Sequence, residues 1–193
     1  MKRWLLLASV VATLTMPTSG VARADLDAKH LKLVRGVSTS LRQAVLLAER
    51  DLKGKAFSAI AGFTDEAVIY TIKLDAGDKA LTASVDAKSG KLSQSPVVVG
   101  DSAGLLKEFS KIKGTLLAAI KAAEATAKGK SFLAVFKRLG NKDVFEVDIA
   151  GRDDVEKDVV IDAATGKIRK VAERSADASA SAGAAVSTGG AAQ

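Results

Sequence analysis

The chain has 193 residues, of which 48% are apolar and 26% charged, with a formal net charge of +7. It contains no cysteine and one histidine, His30. Thiol catalysis, disulfides, cysteine-ligated metals, a lipid-modified cysteine, His-based triads and multi-histidine metal sites are therefore excluded.

In chain order, Lys2 and Arg3 form a positive n-region, Trp4 to Met16 an apolar stretch and Pro17 to Ala24 a small, polar segment. Ala22 and Ala24 occupy the positions a signal peptidase reads, so residues 1–24 are expected to be a cleaved signal peptide. The apolar stretch is too short to cross a bilayer, which takes about 20 residues, so no membrane span is expected in the mature protein. Loss of Lys2, Arg3 and Arg23 lowers the formal charge from +7 to +4. That is too weak and dispersed for a nucleic-acid partner.

From Leu41 the apolar positions Leu41, Ala44, Val45, Ala48 and Leu52 follow a helical period. Ser38, Thr39 and Ser40 offer N-caps, and Lys53-Gly54 a basic last turn with a terminal glycine. A shorter helix is expected before it, around Leu26 to Val34, ending near Gly36. After Gly54 the period becomes two: a strand carries Phe57 to Ile60, then Val68, Tyr70, Ile72 and Leu74 alternate with polar residues, and Leu81, Ala83 and Val85 continue the pattern. Such alternation marks antiparallel strands covered on one face. Asp75 to Asp78 forms the hairpin loop, and the segment closes on Val85-Asp86-Ala87-Lys88-Ser89-Gly90-Lys91-Leu92.

That ending recurs as Ile161-Asp162-Ala163-Ala164-Thr165-Gly166-Lys167-Ile168. A shift of 75 residues carries Leu31-Lys32 onto Leu106-Lys107, Val34 onto Phe109, Glu49 onto Glu124, Lys53-Gly54-Lys55 onto Lys128-Gly129-Lys130 and Tyr70 onto Phe145. Thr115 caps the second main helix (Leu116, Leu117, Ile120, Ala123, Ala127), preceded by a short one from Leu105 to Ile112 that breaks at Gly114. Strands follow at Phe132 to Phe136, Phe145 to Ile149 and Val159 to Ile161, with Gly151 to Asp154 as the hairpin loop. Two copies are too few for a solenoid. The reading is α+β, two tandem repeats of a helix followed by a small antiparallel sheet, with the helix packed on one sheet face. The repeats span residues 25–92 and 104–174, joined by a linker at 93–103 in which Val97 to Val99 can add an edge strand. Units of about 60 residues are marginal alone, so the two should pack together or share a sheet. Residues 175–193, nearly all Ala, Ser, Gly and Thr, are expected to be a disordered tail.

An amphipathic helix, alternating strands and an apolar-Asp-Ala-x-Ser/Thr-Gly-Lys-apolar turn resemble the PepSY domain, here in tandem over Val37 to Leu92 and Ile112 to Ile168. The resemblance implies an extracytoplasmic, non-catalytic module of the peptidase-restraining kind, and a fold like that of the beta-lactamase inhibitor proteins. No peptidase follows in this sequence, so the expectation is action in trans.

Asp86 and Asp162 read as turn formers, with Gly90 and Gly166 taking positive φ, because a calcium loop needs further acidic ligands at alternating positions. Lys53-Gly54-Lys55 and Lys128-Gly129-Lys130 could hold an anion, but cations at a helix C-terminus are expected from the macrodipole alone. His30 is expected to be solvated, and Phe57, Phe132, Tyr70 and Phe145 to be matched core residues. No reactive constellation, metal site or cofactor motif stands out, so no enzyme is expected. The candidate interface is the sheet face away from the helices: Ile69, Thr71, Lys73, Thr82 and Ser84, with Val144, Glu146, Asp148, Asp158 and Val160. The partner expected there is an envelope protein, a peptidase or a sensor. The alternative is a small-ligand- or metal-sensing accessory role.

Overall fold

The computed structural model describes residues 28–64, 66–77, 79–92, 97–99, 103–153 and 155–174. The expected cleavage positions Ala22 and Ala24 and the expected tail from residue 175 lie outside the described residues. The elements are α1 (Ala28–Gly36), α2 (Leu41–Leu52), β1 (Lys55–Phe63), β2 (Val68–Asp75), β3 (Ala80–Asp86), β4 (Val97–Val99), α3 (Ala103–Phe109), α4 (Leu116–Ala127), β5 (Gly129–Leu139), β6 (Lys142–Gly151), β7 (Glu156–Asp162) and β8 (Ile168–Arg174).

The two long helices form where period and caps agree. The Ser40 side chain accepts from the Gln43 amide while the Gln43 side chain reaches back to the Ser40 amide, a capping box; Thr115 accepts from the Ala118 amide. Their buried stripes are Leu41, Ala44, Val45 and Ala48, and Leu116, Ala119, Ile120, Ala123 and Ala127. Both helices end on a lysine in the left-handed region, Lys53 at φ 51 and Lys128 at φ 52. The glycines that follow are required by close approach. A Cβ on Gly54 would sit 3.0 Å from the Asp75 carbonyl oxygen, and one on Gly129 only 2.3 Å from that of Ala150.

The described strands form one eight-stranded antiparallel sheet in the order β4-β3-β2-β1-β5-β6-β7-β8. The halves are joined at the middle, where Ser58, Ala59 and Ile60 pair with Val135, Ala134 and Leu133. Ala59 therefore faces Ala134, its counterpart under the 75-residue shift, and a pseudo-twofold axis passes between them. Bulges at Ala56/Ser58 and Ser131/Leu133 take the same place on each side of that axis. The glutamates that were also aligned serve them: Glu49 accepts from the Ala56 amide at 2.9 Å, and Glu124 from the Ser131 amide and hydroxyl. Burial holds the Glu49 carboxyl above the ordinary glutamate range.

The helices cover one face. Phe57, Tyr70, Phe132 and Phe145 are buried in the resulting core, as expected. Phe109 of α3 bridges the halves, its ring 5.8 Å from Phe57 and 5.1 Å from Phe136. Two expectations need correction. The short helix α3 ends at Phe109, not near Gly114, because the Ser110 hydroxyl and the Lys111 and Ile112 amides close its last turn. Gly114 has a different task, since a Cβ there would lie 2.2 Å from the Ala163 carbonyl oxygen. The strand β8 had no counterpart in the sequence reading. Its run Ile-Arg-Lys-Val-Ala-Glu-Arg is exposed along most of its length, so it lacks the alternation that marks a covered strand. At the opposite edge, Val97 to Val99 adds the anticipated strand, pairing with Ala80 to Thr82.

Candidate functional site: the open face of the sheet

Because Tyr70, Ile72 and Leu74 point into the core, the alternating Ile69, Thr71 and Lys73 face the other way. Across the ladders, Thr71 lies between Ile60 and Ser84, and Lys73 between Ser58 and Thr82. Ile69, Thr71, Lys73, Thr82 and Ser84 are all partly exposed. On the other side of the axis Val144, Glu146 and Asp148 occupy the same face, opposite Asp162, Val160 and Asp158 of β7.

This second set differs from the expectation of an accessible platform. Val144, Glu146 and Asp148 are 1%, 4% and 0% exposed. The ammonium of Lys137 forms an ion pair with Glu146. Glu146, Asp148 and Asp158 bring three carboxylates within 4.8 Å of one another. The sequence shows Glu146 and Asp148 sharing a face, but only the β6–β7 register brings Asp158 to them. Like charges that close need counter-charge when buried, and Lys137 supplies it to Glu146.

The repeated turns behave as turns. Asp86 accepts from the Lys88 and Ser89 amides, and Asp162 from the Ala164 and Thr165 amides and the Thr165 hydroxyl. Gly90 and Gly166 close them at φ 68 and φ 70, a region that favours glycine. Asp162 also accepts from the Arg169 guanidinium, and that pair, before the Thr165 contacts, holds its carboxyl well below the ordinary range. The carboxyl of Asp86 is lowered chiefly by the Ser89 amide.

The first lysine of each Lys-Gly-Lys segment is the C-cap of the helix it terminates, and the second caps a different helix. Lys55 donates to the Ile112 carbonyl at 2.6 Å beyond α3, and sits 4.5 Å from the centre of the Phe109 ring. Lys130 donates to the carbonyls of Arg35 and Val37 at the end of α1. Each lysine thus ties its own half to the first helix of the other. His30 is half-buried rather than solvated, with its ring centroid 4.7 Å from that of Phe63. A groove of about 560 Å³ runs between α1 and the Asp86 turn, lined in part by Lys32, Leu33, Val68 and Lys88. Among the described residues, no helix is long and apolar enough to cross a membrane.

Residues 114–172, from the cap of α4 through most of β8, match the family model described as peptidase propeptide and YPEB domain, the PepSY domain. No curated protein matches the chain. Two solved structures are similar to it. A lipoprotein candidate from Clostridium difficile 630 is 13% identical, with 77% of this chain and 100% of that one covered and a TM-score of 0.44. The YpmB protein from Bacillus subtilis is 18% identical, with 68% and 96% covered and a TM-score of 0.32.

Proposed function

We propose that this protein, whose residues 114–172 are a PepSY domain, is an exported, non-catalytic module that docks on an envelope protein, a peptidase or a sensor, in trans. In this reading residues 25–92 form a second copy of the same domain. The matched caps, bulges and glutamates 75 residues apart, and the turns 76 apart, support the duplication. The observation that carries the function is the sheet face away from the described helices, where Ile69, Thr71, Lys73, Thr82 and Ser84 are partly exposed. Its mixture of apolar and polar side chains matches the composition of a non-obligate interface. Val144, Glu146 and Asp148 are buried on the same side of the second half, so the contacts come from the first half.

The test is capture of the partner from the cell envelope by crosslinking, with wild type and an Ile69→Asp, Lys73→Glu double variant. Both positions lie on the open face of β2, so the variant should retain a native circular dichroism spectrum while losing capture. Undiminished capture by the folded variant would falsify this placement.

A further inference from the structure

A cleft of about 460 Å³ lies where the end of α1, the α4–β5 corner and the β6–β7 hairpin meet. Its charged lining is Arg35, Lys128, Lys130, Arg152 and Glu124. The one carboxylate is already engaged: Glu124 accepts from the Ser131 amide and hydroxyl and lies 3.5 Å from Arg42. The carbonyls at the end of α1, which would repel an anion, are covered by the Lys130 ammonium. Arg35 is held at the wall by donating to the Gly151 carbonyl. Lys128 and Arg152 are exposed at the rim and make no ion pair or hydrogen bond among the described residues.

The pseudo-twofold mate of this corner supplies an internal comparison. Under the 75-residue shift Ser110 stands for Arg35, Gly77 for Arg152 and Asp75 for Ala150, while Lys53, Lys55 and Glu49 keep the charges of Lys128, Lys130 and Glu124. Asp75 accordingly stands opposite Lys55 across the β1–β2 ladder. Both corners need a lysine to cap the opposite helix, so capping explains Lys55 and Lys130. It does not explain two additional arginines and a missing acid in one corner only.

We propose that this second corner is a binding site for a compact, multiply charged oxyanion bearing phosphate or carboxylate groups. Its volume lies in the range of small-molecule sites, about 300–1,000 Å³. Guanidinium groups suit planar or tetrahedral oxyanions by donating two N–H bonds at once, and the Arg152 side chain stands exposed at the rim. Lys128 and the remaining N–H of Lys130 complete a three-sided set of donors. Of the two Lys-Gly-Lys segments, only Lys128-Gly129-Lys130 thus has an anion-binding role beyond its structural one.

The test is calorimetric titration of the full chain with tripolyphosphate and with citrate, at matched ionic strength, against sodium chloride. Saturable one-to-one binding is expected for wild type and for the Lys53→Glu control. The Lys128→Glu, Arg152→Glu variant, altered only at exposed positions, should bind at least about tenfold more weakly, since two attractive contacts become repulsive. Thermal melts without ligand establish that it is folded. Absence of saturable binding in wild type, or equal losses in the control and the double variant, overturns the proposal. Co-sedimentation with phosphatidylglycerol vesicles separates the sources. Pelleting that tripolyphosphate competes away and the variant loses assigns a lipid headgroup; no pelleting beside retained tripolyphosphate binding assigns a free anion.

Discussion

At the scale of single residues, glycines that look alike in the sequence answer to different constraints. Gly129→Ala would place a methyl group 2.3 Å from the Ala150 carbonyl oxygen and 2.5 Å from Ile149 Cγ2. Overpacking of this kind costs about 1–3 kcal/mol, to be read as a lowered urea midpoint. Gly54→Ala meets its nearest atoms at 3.0 and 3.1 Å, and should cost less. Asp162 carries a pH signature. Its folded carboxyl titrates below the unfolded one, so its pairing stabilises the fold above the ordinary aspartate range and is lost as pH falls below that range. Acid unfolding of Asp162→Asn should accordingly show a flatter dependence on pH than wild type. Metal chelators are expected to leave the repeated turns, and with them the thermal melts, unchanged, because Asp86 and Asp162 are satisfied by backbone amides.

At the scale of elements, the short helices depend on the opposite half for their last carbonyls. Lys130→Met keeps the aliphatic stem and removes the donors to Arg35 and Val37. A charged donor lost from a part-buried site costs about 1.5–3 kcal/mol, and chemical denaturation should show it. Lys53→Met, at an exposed position without such partners among the described residues, should change stability little. The N-caps are a milder version of the same dependence. Ser40→Ala and Thr115→Ala each remove an acceptor for a helix-end amide and should cost about 1 kcal/mol.

At the scale of the molecule, the sheet is continuous through β1 and β5, and Phe109 and the two exchanged lysines stitch the halves on the helical side. Unfolding of the full chain is therefore expected to be a single cooperative transition. A half expressed alone would expose the edge of β1 or β5 and lose its lysine cap. Since Ala59 already pairs with its own counterpart, an isolated first half has the register to dimerise through β1. Sedimentation should find it dimeric or unfolded; a monomer with a sharp melt would contradict this account. Ala59→Leu should also destabilise the whole protein by about 1–3 kcal/mol, because the helix-side space at the axis is filled to the size of two alanines.

The α+β class, the helical stripes, their caps, the alternating strands and the Asp-Gly turns are legible in the chain because each depends on neighbours within a few residues. The 75-residue correspondence is legible for the same reason, being a comparison of local patterns. Contacts between distant residues could be read only from the fold. Capping of each first helix by the other half's lysine, the clustering of Asp158 with Glu146 and Asp148, and the burial of that cluster all follow from sheet order and register. Neither is encoded in local periodicity. β8 escaped notice because an edge strand has no covered face to impose alternation. The two Lys-Gly-Lys segments are nearly identical in sequence. What separates them is the acids and arginines that β2, α1 and the β6–β7 hairpin bring beside them, which only the closed sheet determines.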